Sequence, residues 1–454
     1  MGNHTVNTDL TGEVVRRGDS GYDSARTNYN RLFSHRPEAI VFCVETQDVV
    51  NALAWSRENG IPVRVRSGGH SLEGWSTVDD GLVIDVSRMK SATVDAATST
   101  ATVGAGLKQL EAVTALGKAG CAAPTGTEGT VGLVGATLGG GFGLLTRSLG
   151  MASDNLLAAE IVVAPAGGGA TTIVADEENN TDLLWALRGA GNGNFGIVTS
   201  LTYKTHPVTQ TVYVEATWAG LDNLPDVYEA WQRTAPYLDS RLTSQLEIRR
   251  DVFNLIAALT SGSESEARHM LQPMLAVGNP EIVVKDGDWA DVYAGFQISR
   301  EDEAANWKFL SQFIYEPYPP EAVNVIQTFM AHAPTAECNY FTNAFGGAVK
   351  NSAPAGGSAF AHRDALYYAE PGAAWGALGG VPASEDPLTA ECEGWIAEFD
   401  DALRPFVNGA YVNVPNADMA EWETAYWGEN VDRLHTVKAK YDPDNVFSYE
   451  QSVR

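Results

Sequence analysis

Cysteine is scarce in this chain, with four among 454 residues, at Cys43, Cys121, Cys338 and Cys392. Their spacing fits no metal-ligand motif, and so few in so long a chain read as reduced structural residues rather than a disulfide framework. Basic residues are also sparse. Lys and Arg number 30 against 57 Asp and Glu, a formal charge of −27. Such a surface repels phosphate backbones and anionic lipid, which excludes nucleic acid and membranes as partners. No stretch approaches the roughly 18 apolar residues of a membrane span. Met1–Leu10 has neither a basic start nor an apolar run, so no signal peptide is expected and the expected location is cytoplasmic, with a processed secreted form as the alternative.

What is present is an apolar fraction of 44%. That suffices to bury a large core and implies at least two domains. Two glycine-rich stretches stand out. In the first, Pro62–Arg66 alternates apolar and basic residues like a half-buried strand and runs into Ser67-Gly68-Gly69-His70-Ser71. Adjacent glycines can turn successive backbone N–H groups inward to form an anion cradle, with Arg66 and the hydroxyls adding charge and donors. An ordinary turn is the alternative. The second, Gly126–Gly143, intersperses glycines with Val131, Leu133, Val134, Leu138 and Phe142. Flexible linkers are polar, so this apolar stretch reads as a buried segment whose backbone lies against a planar ligand.

Together with Ala152-Ser-Asp154-Asn155, Gly191-Asn-Gly-Asn-Phe195-Gly196-Ile197-Val198 and Tyr441-Asp-Pro-Asp-Asn445-Val-Phe447, these motifs resemble the berberine-bridge-enzyme-like FAD-linked oxidases. That family is a branch of the vanillyl-alcohol-oxidase flavoproteins. The resemblance runs from about Arg36 to the C-terminus, with the motifs in family order. It implies an α+β protein in three parts. A two-subdomain PCMH-type FAD-binding domain would occupy 36–208. A substrate domain, an antiparallel sheet backed by helices, would follow over 209–404, and a C-terminal segment over 405–454 would return to the first domain.

Periodicity supplies the elements independently. Ala39–Val44, Thr46–Asn59 and Pro62–Arg66 read as strand, helix and strand, with Thr46 as cap and Gly60 as terminator. Ser91–Gly104 reads as a hairpin, Leu107–Leu116 as a helix, and Leu156–Ala164 and Ile197–Tyr203 as strands. Further on, Thr211–Trp218 and Ser244–Thr260 read as long strands, with helices over Leu224–Thr234, Glu264–Ala276 and Glu321–Ala331. Residues 1–35 carry no repeated pattern.

The resemblance also assigns roles. FAD would be held by Arg66, Ser67, Gly68, Gly69, His70, Ser71, Thr130, Val131, Gly132, Gly135, Leu138, Gly141, Phe142, Gly143, Asp154, Asn155, Gly196, Ile197, Val198, Tyr411, Asn413 and Asn445. His70 would link covalently to the flavin 8α-carbon. Many relatives add a second link through a cysteine, and here Glu128 stands in that place. A carboxylate cannot form a thioether, so a single link is expected, with Glu128 a hydrogen-bonding spacer or an acid–base group. Val131 occupies the position that governs oxygen access. Tyr411, in Tyr411-Val-Asn413, is the expected base, in need of cationic or hydrogen-bonding help because a free tyrosine titrates near 10. The expected activity is an oxidase that passes hydride from an alcohol, sugar, phenol or natural product to FAD, with dioxygen giving hydrogen peroxide. The expected partners are a small-molecule substrate and O2, and the expected state is a monomer or small homo-oligomer. An FAD-linked dehydrogenase with another electron acceptor, and a flavin-binding protein without turnover, are the alternatives.

Overall fold

The computed structural model describes residues 10–208 and 210–454. Its first sheet has the strand order Glu13–Arg16, Ala39–Phe42, Leu82–Asp85, Val63–Arg66. The last three strands run parallel, which requires long crossovers between them. Helix Thr46–Asn59 is one of these, closed by Gly60 at φ 63°. Its N-cap is Glu45 rather than Thr46: the Asp48 carboxylate accepts from the Glu45 N–H at 3.3 Å, while Thr46 Oγ1 donates to Glu160 at 2.6 Å. The edge strand Glu13–Arg16 lies in the stretch that showed no pattern. A single short antiparallel strand leaves too brief a period to read.

The second sheet is antiparallel throughout, in the order Ala92–Asp95, Thr100–Gly104, Ile197–Lys204, Leu156–Val163, Thr171–Ala175. One apolar core joins both sheets to the C-terminal helices Trp422–Trp427 and Val431–Tyr441 through Tyr426, Trp427, Leu434 and Val437. These two helices are separated at Gly428, whose φ is 52°.

Among the described residues the third sheet has eight antiparallel strands. Its central strands are Thr211–Ala219, Val252–Leu259, Leu242–Ile248, Asn339–Ala344 and Tyr367–Trp375. The long strand expected over 244–260 is a hairpin that turns at 249–251, where Arg249-Arg250-Asp251 interrupts the apolar alternation. On one face Leu246, Leu255, Tyr340, Tyr367 and Trp375 pack under helices Leu224–Thr234, Glu264–Leu275, Pro320–Ala331 and Leu388–Leu403. The alternate residues, among them Gln245, Phe341, Asn343, Tyr368 and Glu370, point the other way, because side chains along a strand alternate between faces. That second face lies over the glycine-rich stretch: Gln245 Nε2 donates to Thr127 Oγ1 at 2.8 Å, and from the helix Trp289–Gly295 Tyr293 Oη donates to the Gly126 carbonyl at 2.9 Å.

Candidate functional site

The two glycine-rich stretches meet backbone to backbone. A Cβ on Gly68 would stand 2.3 Å from Gly132 N, and one on Gly132 would stand 2.6 Å from Gly68 N. No side chain fits between them. Gly69 adds a turn at φ 71°, a conformation glycine adopts without the cost other residues incur. The result is a cleft walled by Ser67–Ser71 on one side and by Val131, Gly132, Gly135 and Leu138 on the other. Gly196, Val198 and Asn413 also line it. Leu133–Leu138 forms a short helix inside the glycine stretch, unforeseen because glycine-rich sequence argues against one.

The cleft is suited to a dinucleotide. Among the described residues, no protein acceptor takes the amide hydrogens of Gly68, Gly69, His70 or Ser71. Arg64 Nε, Ser76 Oγ and Asn192 Oδ1 are buried on cleft-lining residues without a partner. Unsatisfied buried polar atoms are costly, and a cluster of them around one cleft is what a bound phosphate- and ribose-bearing group would satisfy. Trp75 and Tyr449, with ring centroids 5.3 Å apart, supply aromatic surface at the same cleft. These residues fit FAD.

Several expected ligands are scaffold instead. Arg66 turns from the cleft into an ion pair with buried Asp85 and a bond to the Ala25 carbonyl. The cation facing the cleft is Arg64, two residues earlier. Asp154 pairs with Arg363. Asn155 donates to the Leu149 and Met151 carbonyls at 2.9 Å, and its Oδ1 lies 2.7 Å from His206 Nε2. Asn445 holds a C-terminal turn at φ 49°, and Ile197 belongs to the core. Gly141 and Gly143 are also packing positions and not among the cleft-lining residues: a Cβ on Gly143 would meet the Thr125 carbonyl at 2.5 Å.

His70 is clamped. Its ring stacks on Tyr29 with centroids 3.9 Å apart, and Arg300 covers the far face of that tyrosine at 4.1 Å. Nε2 lies 3.1 Å from Thr130 Oγ1, which donates to Glu128 Oε1 at 2.8 Å. Burial, with the positive charges of Lys108 and Arg300 nearby, holds the imidazole down to about 3, so it is neutral at physiological pH.

Tyr411 sits in a tight turn, bridged to Val414, rather than on a strand. Its hydroxyl accepts from Gly141 N–H at 2.8 Å and from Asn413 Nδ2 at 2.7 Å. Those bonds favour the phenolate, but burial outweighs them and raises the hydroxyl above its ordinary value. Phe142 packs against both Tyr411 and Tyr368, at 4.9 and 4.8 Å, and those two rings also meet edge to face at 5.6 Å. Tyr368 Oη donates to Glu370, and burial pushes the Glu370 carboxyl up to about 7. Tyr368 and Glu370 share the face of a strand whose opposite face is the apolar core.

Two family descriptions match parts of the chain. An FAD binding domain matches residues 37–170, and a domain described as berberine and berberine like matches 410–454. The uncharacterised FAD-linked oxidoreductase YgaK of Bacillus subtilis is 40% identical over 98% of this chain and 97% of its own length. Xylooligosaccharide oxidase of Thermothelomyces thermophilus is 28% identical, over 97% of this chain and 92% of its own. Among solved structures, BBE-like 1 of Physcomitrella patens superposes with a TM-score of 0.88 at 27% identity, covering 98% and 97% of the two chains.

Proposed function

The chain belongs to the berberine-bridge-enzyme-like FAD-linked oxidoreductases, and on that premise we propose an oxidase that takes hydride from a hydroxylated small molecule and returns the electrons to dioxygen as hydrogen peroxide. Bound FAD supplies the two-electron chemistry. The protein supplies the rest. The free amides of Gly68–Ser71 and the Arg64 guanidinium hold the phosphates, while Val131, Gly132, Gly135 and Leu138 provide the apolar wall. Glu370, with Tyr368 hydrogen-bonded to it, accepts the substrate's hydroxyl proton. A carboxyl poised near 7 combines a usable ionised fraction with real basicity at neutral pH. Tyr411 instead locks Gly141 and Asn413 in place.

The observation that carries this reading is the glycine-to-glycine cradle with His70 on its wall and the Tyr368–Glu370 pair joined to it through Tyr411, which packs 5.6 Å from Tyr368 and accepts from the cleft-lining Asn413. Anaerobic mixing with a panel of sugars, benzylic alcohols and polycyclic alcohols should bleach the flavin with at least one class, and air should restore the colour with release of peroxide. Bleaching that persists in air would make the protein a dehydrogenase.

Two substitutions test particular residues. His70→Ala should bind FAD but release it into the supernatant on acid precipitation, while the wild-type pellet stays yellow and its intact mass exceeds the polypeptide by one FAD. A yellow His70→Ala pellet would move the attachment elsewhere. Val131→Ile adds one methylene to the cleft wall beside the proposed oxygen path. It should slow reoxidation several-fold and leave anaerobic reduction nearly unchanged; equal reoxidation rates would remove Val131 from that role.

A further inference from the structure

We infer that Glu128, acting through Thr130, sets the tautomer of His70 and so selects the nitrogen that bonds to the flavin. This rests on the reading of His70 as the attachment residue. A threonine hydroxyl has one hydrogen to give. In Thr130 that hydrogen is committed: Oγ1 lies 2.8 Å from Glu128 Oε1, and the same oxygen accepts the Thr130 N–H at 2.9 Å. A carboxylate accepts and does not donate. Thr130 Oγ1 can therefore meet His70 Nε2, 3.1 Å away, only as an acceptor. Nε2 carries the ring hydrogen, and Nδ1 is left with the lone pair.

The loop that presents the carboxylate is fixed from both sides. Gln109 Nε2 donates to the Glu128 carbonyl at 2.7 Å, and Gln297 Oε1 accepts from Gly129 N–H at 2.7 Å while its Nε2 donates to the Thr127 carbonyl at 3.1 Å. Tyr29 against the imidazole face prevents the ring from turning over. The ring's orientation and its tautomer are thus set by separate contacts.

In the linking step C8α gives up a proton and Nδ1 supplies the electron pair of the new C–N bond. The flavin ring system retains two electrons. The alkylated imidazole then releases its Nε2 hydrogen, because the burial and the nearby Lys108 and Arg300 that keep the free ring neutral disfavour a cation at this site. Dioxygen takes the two electrons and two protons, equal to the one lost from C8α and the one lost from Nε2, and leaves as hydrogen peroxide. Glu128 is a positioning residue in this scheme, since it touches neither nitrogen.

The test follows covalent incorporation over time in purified protein incubated aerobically with excess FAD, read as flavin retained in the acid pellet and by intact mass. Glu128→Ala frees the Thr130 hydrogen to donate to Nε2, and Thr130→Val removes the acceptor while keeping the volume. Both should slow linkage at least tenfold. Glu128→Gln retains a carbonyl oxygen for Thr130, and Thr130→Ser retains the hydroxyl, so both should link within about threefold of wild type. Rescue by these conservative variants is what a merely space-filling role would not produce. Linkage in Glu128→Ala and Thr130→Val as fast as in wild type would overturn the inference and leave the attachment reading intact. Wild-type protein that gives up all its FAD to acid would overturn both.

Discussion

Replacing Glu370 by glutamine is expected to slow anaerobic flavin reduction by about 10²–10⁴-fold, the usual cost of losing a positioned general base. The substitution preserves shape and keeps an acceptor for Tyr368 Oη, so the loss isolates proton acceptance from packing. Wild-type reduction should rise as pH passes about 7, where the carboxyl ionises, and that limb should vanish in the glutamine protein. A linked effect on stability has a fixed sign. The folded state raises this carboxyl from its ordinary 4.5 to about 7, so it binds the proton more tightly than the unfolded chain does. Its contribution to stability is therefore complete below 4.5, falls as pH rises between those values, and is lost above about 7. Glu370→Gln carries no such penalty, so its Tm relative to wild type should be higher at pH 8 than at pH 5. Tyr411→Phe is the counter-test. It strands the Gly141 N–H and one of the two Asn413 Nδ2 hydrogens, the other still donating to the Ala136 carbonyl, at a cost of about 1–3 kcal/mol, and should lower the Tm while leaving reduction within tenfold of wild type. A crippled Tyr411→Phe protein beside a near-normal Glu370→Gln protein would return the base to Tyr411.

The sequence made the cofactor cradle legible because its devices are local. A strand running into Gly68-Gly69 and a glycine-rich apolar stretch each declare a close backbone approach, and the structure brings those two approaches together at Gly68 and Gly132. What the sequence could not show was which of two residues on the same face of a strand reaches the ligand. In Val63-Arg64-Val65-Arg66 both arginines fit the pattern, and only the parallel neighbour carrying Asp85 decides that Arg66 is paired and Arg64 faces the cleft. The acid–base group was hidden for a related reason. Glu370 is one carboxylate among 57 acidic residues, and its raised pKa comes from a buried face assembled by strands far apart in sequence. Tyr29 likewise lies in a stretch without periodicity, yet it reaches His70 because the chain before residue 36 already lies against the first sheet. Motifs that act through backbone were readable; roles created by burial and non-local pairing were not.

Gly68→Ala is expected to yield protein essentially devoid of FAD. A Cβ at this position would sit 2.3 Å from Gly132 N and 2.5 Å from Gly132 Cα. Both are backbone atoms, so no side-chain rotation relieves the clash and the two stretches must separate. Overpacking of a tight contact costs typically about 1–3 kcal/mol, and more where backbone has to move. At the upper end this corresponds to about a hundredfold loss of affinity for a ligand that needs the closed cradle. Separation would also carry His70 away from Thr130, since each belongs to one of the parting stretches, so any FAD that still binds should link slowly. Gly69→Ala provides the contrast. Its Cβ would meet nothing closer than 3.8 Å, and the cost is the left-handed φ of 71° alone, about 1–2 kcal/mol for a residue with a Cβ. In a His70→Ala background, where FAD binds without linking, titration of the FAD-free protein with FAD, followed by flavin fluorescence quenching, should rank affinity as glycines intact, Gly69→Ala, Gly68→Ala. The reverse order of the two variants would mean that the turn at Gly69, and not the contact between the stretches, holds the cofactor.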